Sequence, residues 1–367
     1  MLDEKYTLPT FPVTRDLWDE IRESDIPIAV YGMGNGADKL FSRLGEKCAR
    51  EKIKEVFASD GFVRGHSFRG YKVKSLSEVK NEYSDFLILL SFASNRSEVI
   101  DMIKRIDSAN KMLIPDMPVT AESYFDKDFY NENYTDVIKA YESLIDEESK
   151  KLFVSIIKYK LSGKASYLFD KCSSTEEIYN LIGDKISHAI DAGAYNGDTA
   201  REMLTYFKDI QKIYAIEPDK RNFKKLSRFV TENGFSSKIE PINAGVWSEN
   251  AEGEFNSSAN RNSSISSTVS HESRNDLVPL ISIDSLNAER VDYIKYDVEG
   301  AELEALRGSF NTIEKHRPVL LISAYHRSED IFSLVNYMRK THPTYSLYMR
   351  RIECFPAWEI AIIAIPE

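Results

Sequence analysis

Cysteine is scarce: Cys48, Cys172 and Cys354 are the only three in a chain of 367 residues. They are too few and too scattered for a disulfide framework or a cysteine-rich zinc site. Long apolar runs are missing too. No stretch approaches the ~20 residues of a membrane span, and the opening MLDEKYTLPTFPVTRD has no apolar core of a secretory leader. Positive charge is in deficit, 48 Lys and Arg against 58 Asp and Glu, for a net charge of −10. Nucleic-acid backbones and anionic bilayers therefore receive no long-range attraction. These absences predict a soluble, cytoplasmic protein with no nucleic-acid partner and no membrane span. What is present is ordinary globular material, 42% hydrophobic and 29% charged. That suffices for a core without staples, and at roughly 150 residues per domain the length predicts about two domains.

Apolar runs alternating with helical periods predict an α/β protein built from two doubly wound Rossmann-like domains. Residues 1–25 read as an N-terminal arm with a short helix from Arg15 to Glu23, and 26–118 as a small Rossmann-like domain. Its units are the strand IPIAVYG, a glycine turn, one amphipathic helix ADKLFSRLGEKCARE, and the strands IKEVFAS, DFLILLS and KMLIPD. Residues 119–185 carry little strand signal and read as a helical connector, with Gly163 and Lys164 ending one helix. The strand–turn–helix rhythm restarts at His188 and runs through 186–367. KIEPINAGVW reads there as a third strand, and TYSLYMR and WEIAIIAIP as a closing hairpin. Residues 248–278 are serine-rich and read as a hairpin or loop. In that insert Asn260, Arg261 and Ser263 to Ser266 can hydrogen-bond a polyol or form a mobile polar hairpin, and both readings stand. His188 and His271 are expected to be structural.

The most informative stretch is Ile190-Asp191-Ala192-Gly193-Ala194-Tyr195-Asn196-Gly197-Asp198-Thr199. A buried strand ends in an acid, turns on two glycines and opens a helix, so backbone N–H groups and the helix dipole face a ligand. The Gly-x-x-x-Gly spacing is not the dinucleotide Gly-x-Gly-x-x-Gly, and the acid before the first glycine would repel a pyrophosphate. It suits an amino-acid end beside a sulfonium. The next strand ends in Ile216-Glu217-Pro218-Asp219, where doubly wound sheets bind a ribose diol. Together the two acids describe a site for S-adenosylmethionine.

Here the chain resembles the FkbM family of S-adenosylmethionine-dependent methyltransferases. The matching pieces are DAGAYNGDT, IEPD, NAGVWS, ISIDSL, YIKYDVEGAELEALRGS and LISAYHRSEDI, in that order, over roughly residues 145–365. The resemblance implies that 186–367 is a class I methyltransferase domain, a seven-stranded sheet whose last strand is antiparallel. It also implies methyl transfer to a hydroxyl of a sugar, glycan or sugar nucleotide. The implied cofactor residues are Asp191, Gly193, Tyr195, Asn196, Gly197, Thr199, Glu217, Asn243 and Gly245. The sequence departs from the family pattern at the serine-rich insert and at Trp358-Glu359, which lead into the last strand.

An alcohol is a poor nucleophile and needs a base, a metal or both. Asp297 and Glu299 end one strand, and Tyr325-His326 follow the neighbouring one, so Asp297 and His326 should flank one cleft. Two models compete. His326 takes the proton while Asp297 or Glu299 orients it, or the two acids hold Mg²⁺. Ser323-Ala324-Tyr325-His326 stands where catechol-type enzymes have an Asp-Asn pair, which favours the metal-free model and no metal ligands. Glu302 reads as a first-turn helix carboxylate. Lys220, Arg221, Lys224, Lys225 and Arg228 read as a solvated helix face.

Gly32-Met-Gly34-Asn-Gly36-Ala37 fits the relaxed dinucleotide pattern, with Asp60 as the ribose acid. The segment resembles small Rossmann-like modules found beside glycan-modifying enzymes. It leaves open ligand binding, or a structural role such as homo-oligomer formation. Two alternatives to the methyltransferase follow: an NAD(P)-dependent oxidoreductase or epimerase using that turn, or a non-catalytic nucleotide-sensing protein.

Overall fold

The computed structural model describes residues 6–63, 65–120, 123–256, 264–266 and 276–367. Short apolar runs buried on both faces form the N-terminal sheet: β1 (Ile28–Tyr31), β2 (Ile53–Phe57), β3 (Ser67–Phe68), β4 (Tyr71–Lys74), β5 (Leu87–Leu90) and β6 (Lys111–Leu113). The order is β3-β4-β2-β1-β5-β6, parallel except for the β3–β4 hairpin. The chain proceeds from β1 to one side and then crosses to β5 on the other, which leaves a crevice at the carboxyl end of β1. The helix expected over 37–51 is broken in two, Asn35–Leu44 and Glu46–Lys52. Gly45 causes the break: at φ +76° its N–H caps the carbonyls of Phe41 and Ser42.

The chain resumes as β7 (His188–Ala192), β8 (Lys212–Ile216), β9 (Ile239–Ile242), β10 (Gly245–Val246), β11 (Ala251–Asn256), β12 (Ser264–Ser266), β13 (Asp276–Ile281), β14 (Tyr293–Tyr296), β15 (Val319–Ser323), β16 (Tyr345–Arg351) and β17 (Ile360–Pro366). The main sheet has seven strands in the order β16-β17-β15-β14-β7-β8-β9, and the last strand, β17, runs antiparallel to both neighbours. The single strand expected at KIEPINAGVW is divided. β9 stays in the main sheet, while β10 joins a separate four-stranded sheet, β10-β13-β11-β12, that carries the serine-rich segment. β11 and β12 pair antiparallel, as a hairpin does. Asn260, Arg261, Ser263 and His271 lie outside the described residues.

Between the sheets run the helices Lys127–Glu132, Tyr134–Ser143, Glu147–Ser162 and Thr175–Ile182. Gly163, at φ +67°, ends the third by returning its N–H to Tyr159. One apolar core runs through all three regions, joining Ile88 and Ile103, Phe153 and Ile156, and Ile294, Ile322 and Ile362. Specific bonds lock the ends. Ser94 and Phe355 exchange backbone hydrogen bonds of 2.8 and 3.0 Å, and a buried ion pair joins Lys160 to Asp116. The crevices of the two sheets consequently open onto one cavity. No helix among the described residues is long and apolar enough to cross a membrane.

Candidate active site

β7 ends in Asp191-Ala192, and the chain must then turn hard against its neighbour β14. A Cβ on Gly193 (φ +90°) would lie 1.8 Å from the carbonyl oxygen of Asp297, so only glycine fits. Tyr195 follows at φ +47° and Gly197 at φ +88°, where a Cβ would strike Phe229 and Leu226. The helix Asp198–Tyr206 begins there.

Glu217, at the tip of β8, is nearly enclosed. Its two oxygens accept the amide N–H groups of Asp219 and Tyr195, each at 2.8 Å. Burial pushes its carboxyl up to about 8, and those amides only partly oppose it. Asn243 braces the same strand end, donating to the carbonyls of Glu217 and Pro218.

The cavity, about 1020 Å³, is lined by Gly193, Tyr195 and Glu217 from the nine expected cofactor residues. The others stand behind them. Asn196 is turned toward Arg201, Thr199 accepts from the Lys295 ammonium at 2.8 Å, and Gly245 lies inside β10. Asp191, expected at the charged end of the cofactor, is fully enclosed behind the cavity wall, because its side chain points into the layer that holds Lys295. Both of its oxygens lack a hydrogen-bond partner among the described residues. Burial pushes its carboxyl up to about 7, even with Lys295 nearby.

On the adjacent strands β14 and β15 the expected pairing is present. Asp297 and His326 face each other, with the His326 Nε2 3.6 Å from Asp297 Oδ1 and 3.6 Å from Glu299 Oε2. Glu299 reaches this position from a left-handed backbone conformation, φ +53°. Three neighbours of one histidine are carboxylates. The third is Glu302, which is the first-turn helix carboxylate that its position predicts. It is also 1% exposed, and its Oε1 pairs with His326 Nδ1 at 2.8 Å while accepting the amides of Val298 and Gly300. The sequence signal is the three acids within the six residues DVEGAE, Asp297, Glu299 and Glu302, all of which meet His326. Burial alone would lower the His326 pKa, but Glu302, Asp297 and Glu299 hold it up at about 10. Asp297, half-buried, is kept below the usual carboxylate range by Lys295 and His326.

Oxygen ligands are thus not in short supply, contrary to the reading of Ser323-Ala324-Tyr325-His326. Asp297, Glu302 and His326 each offer a ligand atom within 4.8 Å of the others. Glu302 Oε1 and His326 Nδ1 are already committed to each other, however, which leaves a smaller set facing the cavity. Arg221 and Lys225, expected on a solvated helix face, are exposed and also line the cavity, as do Trp358 and Glu359. Asp60, the acid assigned to the N-terminal turn, is exposed and lies outside the lining. His188 hydrogen-bonds Ser187 at the foot of β7.

A seven-stranded sheet with a reversed last strand, a glycine turn after its first strand and an acid after its second is the framework of class I methyltransferases. Residues 191–345 match the family model of the methyltransferase FkbM domain. The likeness to the crystal structure of the methyltransferase FkbM from Methylobacillus flagellatus KT extends to the whole fold. It has a TM-score of 0.69 at 20% identity and covers 99% of this chain and 95% of that one. An rRNA methylase from Streptococcus thermophilus (11% identity, 52% and 93% covered, TM-score 0.35) matches too loosely to carry an argument. So does the precorrin-6y C5,15-methyltransferase from Geobacter metallireducens GS-15 (12%, 54% and 92%, TM-score 0.34). None of the curated proteins matches this chain.

Proposed function

We propose that the protein is an S-adenosylmethionine-dependent O-methyltransferase acting on a hydroxyl of a sugar, glycan or sugar nucleotide. The observation that carries the proposal is the His326 imidazole, oriented through Nδ1 by a buried carboxylate and presenting Nε2 to the cavity between Asp297 and Glu299. The residues fit the cofactor. Glu217 keeps lone pairs for a ribose diol, Gly193 and Tyr195 supply backbone at the turn, and enclosed Asp191 adds negative charge behind them. When bound, the cofactor supplies a methyl group on a sulfonium, an electrophile that needs no further activation.

The chain's own work is then on the acceptor. Neutral His326 accepts the hydroxyl proton at Nε2 as the oxygen gains its methyl group, and Glu302 stabilises the imidazolium that results. Asp297 and Glu299 hold the acceptor hydroxyl near that nitrogen. Its pKa of about 10 leaves the resting imidazole protonated, so His326 acts as the base only after that proton has left. Trp358 and Phe92 present aromatic faces, and Asn35, Ser91 and Asn95 polar groups, a lining suited to a polyol. The oxidoreductase reading has less support, because Asp60 does not reach the cavity.

The test is calorimetric titration with S-adenosylmethionine and S-adenosylhomocysteine, with NAD as control, on the natural protein and on Glu217→Ala. One-to-one binding of the sulfur ligands, weakened roughly 10–100-fold in the variant, is expected. Binding of NAD alone would overturn the proposal.

A further inference from the structure

The cavity has two walls, and the second belongs to the N-terminal domain. Gly34, Asn35, Lys39, Ser91, Phe92 and Asn95 line it from the switch point of the smaller sheet. The two walls differ in charge. The C-terminal wall carries the carboxylates Asp198, Glu217, Asp219, Asp297, Glu299 and Glu359 interleaved with Arg221, Lys225, Lys295 and His326. The N-terminal wall, among the described residues, carries the Lys39 ammonium and no acid.

Lys39 is half-buried. Its Nζ donates to the carbonyls of Pro118 at 2.7 Å and Val119 at 3.0 Å, and no carboxylate among the described residues pairs with it. One of its three N–H donors is therefore left for a ligand. The same segment touches the chemistry, since the amides of Val119 and Thr120 both donate to the His326 carbonyl at 3.2 Å. A single peptide stretch thus ties the cationic wall to the proposed base. Beside Lys39 a Cβ on Gly34 would meet nothing within 4 Å, so the chain is open to the cavity there. Gly36 serves packing instead, since its Cβ would lie 2.1 Å from the Ser91 carbonyl oxygen.

We infer that the N-terminal domain is the anion-binding half of the acceptor site: it holds a phosphate group of the acceptor against Lys39 and Asn35, so that the sugar hydroxyl lies at His326. This rests on the methyltransferase reading and narrows its acceptor to a phosphorylated one, a sugar phosphate or a nucleoside diphosphate sugar. It also gives the Rossmann-like module a task without a dinucleotide cofactor of its own. On the C-terminal wall a phosphate meets carboxylates as well as cations; at Lys39, on the wall without an acid among the described residues, it is held by a charge-assisted hydrogen bond.

The test uses the full chain, with and without saturating S-adenosylhomocysteine, titrated with inorganic pyrophosphate, glucose 1-phosphate, uridine diphosphate glucose and glucose. Binding of phosphate-bearing probes, and at least tenfold weaker binding of glucose, is expected. Glucose 1-phosphate binding best identifies the sugar-phosphate source, and uridine diphosphate glucose binding best the nucleotide source. Lys39→Met and Asn35→Asp should each weaken the phosphate-bearing probes about tenfold or more while leaving S-adenosylhomocysteine affinity unchanged. The second variant places an acid in the first turn of a helix, where it favours folding, so it stands if Lys39→Met folds poorly. Failure of all phosphate probes, or equal binding by both variants, would overturn the inference. Failure of S-adenosylhomocysteine alone would strike the methyltransferase reading and leave the phosphate titrations readable.

Discussion

The two glycine turns share a local design and differ in what surrounds them. In each, a glycine packs against the exit of the next strand across the switch point, Gly36 on Ser91 and Gly193 on Asp297. Each opens a helix onto the same cavity. Around the C-terminal turn, burial crowds Asp191, Glu217, Asp297 and His326 together and shifts their protonation. Around the N-terminal turn, among the described residues, only Lys39 carries charge into the cavity. The turn motif therefore sets where a ligand approaches backbone; the strand-end side chains set which ligand. Perturbed titration is concentrated at one of the two turns, the one where the proposed chemistry is placed.

The comparison is sharpest at the proposed base. His326→Ala should lower kcat by about 10²–10⁴ with S-adenosylhomocysteine affinity unchanged, the usual span for loss of a general base. Unchanged turnover would remove His326 from the mechanism. Next, the glycines can be exchanged for alanine one at a time. Gly193→Ala pushes Asp297 aside and should lower both cofactor affinity and turnover, roughly tenfold or more. Gly36→Ala should cost about 1–3 kcal/mol of stability while cofactor affinity stays within about twofold. Equal losses of cofactor binding from the two changes would erase the distinction drawn between the turns.

Stability against pH is a gentler probe. Asp191, held at about 7, Glu217, at about 8, and His326, at about 10, all keep protons in the folded chain at pH values where the unfolded chain has released them. Stability from these groups therefore falls as pH rises, from about 4 to 8 for the carboxyls and from about 6.5 to 10 for the histidine. The ligand-free Tm should drop between pH 5 and 9. Asp191→Asn should flatten the drop below pH 7, by roughly 2–5 °C at pH 8, whereas Asn35→Asp in the other turn should not change the slope. The smallest effect is expected from chelation: turnover in EDTA should stay within about twofold, and a larger loss restored by Mg²⁺ would move Asp297, Glu299 and His326 into a metal site.

Much of this was legible residue by residue. The α/β alternation, both glycine turns, the reversed C-terminal hairpin and the meeting of Asp297 with His326 follow from periodicity and from strand adjacency within a known sheet order. The break at Gly45, the division of β9 from β10 and the inward turn of Glu302 were not legible. A glycine inside a helical pattern, a proline-bearing apolar run and an acid in the first turn each admit two local outcomes with similar energy.

The sequence by itself determined the local elements, because side-chain period and turn chemistry act over a few residues. It also determined the acidic, glycine-punctuated character of the C-terminal site. Tertiary structure alone decided that Asp191 stands behind the wall and not in it, that Glu302 pairs with His326, and that two turns far apart in the chain face one cavity. These outcomes depend on which surfaces the shared core brings together. Burial and charge proximity, the quantities that shift a carboxyl to about 8 or an imidazole to about 10, exist only once the distant segments have met.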